Sequence, residues 1–167
     1  MLGILIETRH HEPVRNSQYA EAISQESVEV QQTFKTPLNN LQPFVATIIS
    51  TASPEIACVT IEQAVFEPKH WIDLLTRHSL SPRYGKGASV TAVGRQEVEE
   101  LLHTAFTDWF DFLFVPTPKP FVIYADHDEY TTFYANTRSN LNRVVEALVA
   151  QGFEQIAEYK RQLWGSR

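Results

Sequence analysis

The sequence predicts an α+β fold with a largely antiparallel sheet, two main core helices and a closing β-hairpin–helix–strand unit. Three observations point to it. β-Branched and aromatic residues gather in short runs, at 56–61 and 121–125 for example, as half-buried or central strands require. Apolar residues recur at three- and four-residue steps over 94–110 and again after Thr137, the period of an amphipathic helix. Between two β-rich runs stands an acidic tetrapeptide, Asp126-His127-Asp128-Glu129, placed as a hairpin turn would be.

Taken in order, residues 3–8 form a short apolar run in which Ile4 and Ile6 alternate with Leu5, and a first strand is expected there. Pro13 breaks it, and residues 19–24 hold at most a short helical turn. Residues 27–34 set Val28 and Val30 on one face, so a half-exposed strand is expected, followed by a connection over 36–43 with two prolines and two asparagines. The apolar, β-branched runs 44–50 and 56–61, the latter extending toward Phe66, read as neighbouring strands joined by a turn at Ala52-Ser53-Pro54. Pro68 then opens a short helix over 70–78 with Trp71, Leu74 and Leu75 on its buried side.

A surface loop at 80–87 leads to a strand at 88–93. Its Gly85-Lys86 pair is not a phosphate loop, because Leu80 stands where the motif needs glycine and Gly87 where it needs Ser or Thr. The longest helix is expected at 94–110, burying Val98, Leu101, Leu102, Ala105, Phe106, Trp109 and Phe110, with Glu97, Glu99 and Glu100 near its positive end. After the rigid Pro116-Thr117-Pro118-Lys119-Pro120 segment, residues 121–125 and 130–134 should pair antiparallel across the acidic turn. Thr137 or Ser139 caps the next helix, whose stripe is Leu141, Val144, Val145 and Leu148; Gly152 suits its left-handed end, and 153–159 returns as a strand.

Composition narrows the function. The 167 residues suit one globular domain spanning 1–167, with 43% hydrophobic and 20% charged residues. A net charge of −6 opposes nucleic acid and anionic membrane surfaces, and favours a basic partner or none. Cys58, the single cysteine, sits in an apolar run and reads as a buried structural thiol. With no run near the roughly 20 apolar residues of a membrane span and no basic start for a signal peptide, a cytoplasmic protein is expected.

The candidate site is the acidic turn. Asp126, His127, Asp128 and Glu129, flanked by Tyr124, Tyr130 and Tyr134 as aromatic anchors, form a patch suited to charge-assisted recognition of a basic protein. The same four residues as ligands or acid–base groups would make a metal-assisted hydrolase, the rival reading. The strand ending in Asp126-His127-Asp128 resembles the nucleophile strand of haloacid-dehalogenase-like phosphatases, but Tyr130 stands where that family places Thr or Val. Among the other histidines, His10 and His11 point to opposite sides of a strand, His70 and His78 lie two helical turns apart, and His103 lacks an acidic partner one turn on. The expectation is therefore a small acidic cytoplasmic protein, immunity-like or regulatory, that binds a basic macromolecular partner without a cofactor.

Overall fold

The computed structural model describes residues 7–9 and 30–159, and among these residues eight strands join in one antiparallel sheet. The strands are β1 (Glu7–Arg9), β2 (Val30–Lys35), β3 (Ile56–Ala64), β4 (Ser89–Val93), β5 (Phe110–Thr117), β6 (Val122–Ala125), β7 (Tyr130–Ala135) and β8 (Gln155–Ile156). Their order across the sheet is β1-β4-β3-β5-β6-β7-β2-β8. Four helices accompany them: α1 (Leu41–Ala52), entered through a 3-10 turn at Leu38–Asn40, then α2 (Lys69–Arg77), α3 (Arg95–Thr107) and α4 (Arg138–Ala150). The fold is α+β, and it ends in the expected hairpin, helix and strand.

Alternation along the strands decides what the helices cover. Cross-strand register puts Ile61 beside Phe112 and Phe112 beside Ala125, all buried, while the next positions pair Thr60 with Leu113 and Leu113 with Tyr124 on the opposite face. Phe112 meets Phe106 of α3 edge-on with ring centroids 5.1 Å apart, so the first of these faces is the helix-covered one. Helix α3 packs on β3, β4 and β5, α4 packs on β2 and β7, and α1 lies against both helices. Phe44 of α1 joins the two ends by touching Phe106 and Phe153. Burying rings of this size stabilises the fold by about 2–3 kcal/mol each. The opposite face carries a row of hydroxyls, with Thr60 bonded to Ser89 and Thr33 to Thr132, each at 2.8 Å.

Four expectations need correction. Residues 44–50 are helix, not strand: Leu41, Phe44, Val45, Ile48, Ile49 and Ala52 follow a helical period and are all buried. Its β-branched threonines are accommodated because Thr47 and Thr51 donate to carbonyls four residues back, at 2.7 and 2.8 Å. Strand β2 is not half-exposed at its end, since Thr33 and Phe34 are both fully buried between β7 and β8. The long helix stops at Thr107, so Trp109 leaves the core and Phe110 begins the next strand. The final strand shrinks to Gln155–Ile156.

Cys58, expected as a buried thiol, is half-buried, and Pro116 and Thr117 of the expected rigid connection belong to β5, whereas other local readings hold. The helix after Pro68 buries Trp71, Leu74 and Leu75 as its spacing requires. Thr137 caps α4 by accepting the Asn140 N–H at 3.2 Å, and Gly152 takes φ +85° just past the helix end. The expected strand over 3–8 overlaps the described residues at β1 alone, and the calls at His10, His11, 19–24 and the tail from 160 fall outside them.

Candidate functional site

The acidic turn is the reversal between β6 and β7. It closes through the Asp126 N–H donating to the Tyr130 carbonyl at 3.0 Å and the Glu129 N–H donating to the Asp126 carbonyl at 3.3 Å. Glu129 then sits at φ +68°, the left-handed position that hairpins of this kind ordinarily give to glycine. Its carbonyl accepts the Thr36 N–H at 2.7 Å, which ties the turn to the chain leaving β2.

The four turn residues do not share one role. Asp126 is buried, and its carboxylate accepts the Tyr130 N–H at 3.1 Å and the Tyr159 hydroxyl at 3.4 Å, so this side chain holds the turn together. His127 turns inward to Asp111 of β5. Its backbone N–H donates to Asp111 Oδ1 at 2.8 Å, and its Nδ1 donates to the same oxygen at 2.6 Å, because a carboxylate oxygen can only accept. That hydrogen bond raises the His127 pKa above its ordinary value of 6.5, with the charges of Asp111, Asp128 and Asp126 adding to it against the opposing effect of burial. Asp128 projects outward with its side chain 73% exposed, 3.8 Å from His127 Nε2. Glu129 is half-buried.

The tyrosines divide as well. Tyr134 is 3% exposed and Tyr124 is half-buried on the hydroxyl-bearing face, whereas Tyr130 stacks on Tyr159 with ring centroids 4.4 Å apart. A patch with all four turn residues and three tyrosines pointing outward is therefore not what the chain builds. Asp126 and Tyr134 are internal, Asp128 is the exposed carboxylate, and Glu129 is half-buried.

A second set of residues, distant in sequence, completes this end of the sheet. Trp109 follows α3 at φ +58°, two residues beyond Thr107 and just past the Asp108 cap, in the conformation that helix ends normally assign to glycine. Holding a bulky side chain there costs on the order of 1–2 kcal/mol. Buried aspartates clamp both sides of it. Asp108 accepts the Trp71 N–H at 2.6 Å and His70 Nδ1 at 2.7 Å, closing the first turn of α2, while Asp111 holds the acidic turn as described. The ring itself is left 39% exposed and meets the 61% exposed Phe66 edge-on at 6.0 Å.

Trp109 and Glu129 line one small pocket. Leu38 and Phe106 contribute further apolar surface to it, and Asp126 and His127 border it with Glu129. Among the described residues the Glu129 carboxylate has no hydrogen bond or ion pair, and no group of three or more His, Cys, Asp or Glu side chains is placed to hold a metal ion. None of the described helices is long and apolar enough to cross a membrane.

Sequence reasoning found the turn but missed Trp109, Phe66, Asp108 and Asp111. The two aspartates lie 38 and 16 residues from the histidines they bind, and no local pattern links positions so far apart. Trp109 fits the helical stripe by spacing, and its removal from the core follows from where α3 stops. No protein-family model matches the chain, and neither a curated protein nor a solved structure matches it at a significant level.

Proposed function

We propose that this protein works by binding a basic macromolecular partner, in an immunity-like or regulatory role, at the end of the sheet where Trp109 and Phe66 meet the acidic turn. One observation carries the reading: two residues held in strained, left-handed backbone, Trp109 and Glu129, present their side chains to the same pocket. Left-handed backbone at bulky residues is retained where the surroundings fix it, and it concentrates at functional surfaces. An exposed tryptophan beside a second exposed ring is the kind of anchor that dominates binding energy at interfaces. The exposed Asp128 and the half-buried Glu129, together with the net charge of −6, select for positive charge and speed its approach. The same proposal places the protein in the cytoplasm, in keeping with its one free thiol at Cys58.

The test uses immobilised poly-L-lysine as the basic probe and poly-L-glutamate as control. Wild type should bind the polycation alone, more weakly as salt rises. The double variant Phe66→Ala, Trp109→Ala keeps every charge and should lose on the order of tenfold in affinity, the effect of removing an aromatic anchor. Unchanged affinity in that variant would mean that diffuse charge, not this surface, attracts the probe, and the reading would fail.

A further inference from the structure

We propose that a proton on His127 masks Asp128, so that the acidic turn attracts a basic partner in full only while this imidazole is neutral. The inference rests on the binding role argued above and names a control on it. Asp111 takes both the backbone N–H and the Nδ1 proton of His127, at 2.8 and 2.6 Å. Because a carboxylate oxygen accepts and cannot donate, Nδ1 keeps its proton in either charge state, and the proton that comes and goes is the one on Nε2. Nε2 is the nitrogen that lies 3.8 Å from Asp128 Oδ1. Gaining that proton therefore changes the charge beside Asp128 without breaking the bonds that shape the turn.

The surroundings suit such a switch. His127 is half-buried and Asp128 exposed, so solvent and a partner reach both, while Asp111 stays buried beneath them. The charged groups around the imidazole are Asp111 from β5 and Asp126, Asp128 and Glu129 from the turn, the last lining the same small pocket as His127; on β2, Lys35 stands opposite Tyr130. The Asp111 hydrogen bond and the neighbouring carboxylates hold the proton more firmly than a free histidine does, which places the change of state above 6.5. When charged, the imidazolium and Asp128 form a surface ion pair that partly neutralises the carboxylate. When His127 is neutral, Asp128 faces solvent with its full charge. Surface pairs are weak, so the contrast is a few-fold change in affinity and not an on–off switch.

The test measures the affinity of the full chain for a hexa-lysine peptide by calorimetric titration at about pH 5.5 and about pH 8.5, at one ionic strength; the lysines of the probe stay charged across this range. Wild type should bind more tightly at the higher pH, and the ratio of its two affinities should be about threefold larger than in His127→Gln, which keeps every other histidine. Asp128→Asn, a substitution at an exposed side chain, should weaken binding about threefold at the higher pH and hardly at all at the lower, where the carboxylate is already masked. The same ratio in wild type and His127→Gln would overturn the proton mask and leave the basic-partner reading standing. An equal loss from Asp128→Asn at both pH values would overturn it as well. If wild type binds the peptide at neither pH, the mask and the binding role fail together.

Discussion

Asp108 and Asp111 make the same set of bonds, each taking one backbone N–H and one histidine Nδ1, yet they serve different ends of the segment between them. Asp108 closes α2: its acceptor satisfies the Trp71 N–H at the start of that helix, and its histidine, His70, lies with a side chain 67% exposed. Asp111 reaches into the acidic turn, where His127 is 33% exposed and surrounded by Asp126 and Asp128. The pairing chemistry is shared and the surroundings are not. One pair is a cap whose histidine adds little; the other is a tie that sets the shape and charge of the acidic turn.

Variants sharpen this contrast in order of effect. Asp108→Ala should be the most damaging, lowering unfolding free energy by about 2–3 kcal/mol in urea titration, because the buried Trp71 N–H loses its acceptor as well as its cap. Asp111→Asn should cost about 1–2 kcal/mol, since an amide keeps an oxygen for one donor but loses the charge that strengthens both bonds. His70→Ala should change stability by less than about 0.5 kcal/mol, as expected for an exposed side chain whose partner retains a backbone donor. A loss at His70 as large as that at Asp111 would erase the distinction between cap and tie.

The two histidines should also differ in pH dependence. The folded-state pKa of His127 is raised above 6.5, so its charge stabilises the native state. That contribution is fully present below about 6.5, where the histidine is charged in the folded and unfolded chains alike, and it disappears as pH climbs through the raised native value. The stability gap between wild type and His127→Gln, followed by urea unfolding across this range, should therefore narrow with rising pH. A gap that is flat or widens would show that the Asp111 bond does not favour the charged imidazole.

What could be read from the sequence was local. The hairpin around residues 121–134, the Thr137 cap, the Gly152 helix end and the short helix after Pro68 each depend on neighbours a few residues apart, and each appears in the structure. Residues 44–50 read as a strand because Val45, Ile48 and Ile49 favour strands; the wider spacing from Leu41 to Ala52 is helical, and burial against α3 and α4 makes it a helix. The site was legible only at its acidic turn. Phe66 and Trp109 become exposed because β3 and α3 end there, and Asp111 reaches His127 because β5 and β6 pair, all of which are consequences of the assembled sheet.

The central claim is that Trp109 is presented at the surface and not spent on the core, at the expense of strained backbone. Urea unfolding of Trp109→Gly tests it most directly, because glycine relieves the left-handed conformation while removing the ring. The account predicts a stability within about 1 kcal/mol of wild type, the relief offsetting the lost contact with Phe66. A loss of about 3 kcal/mol or more, the cost of deleting a core aromatic, would show that the indole holds the fold together and would contradict the claim.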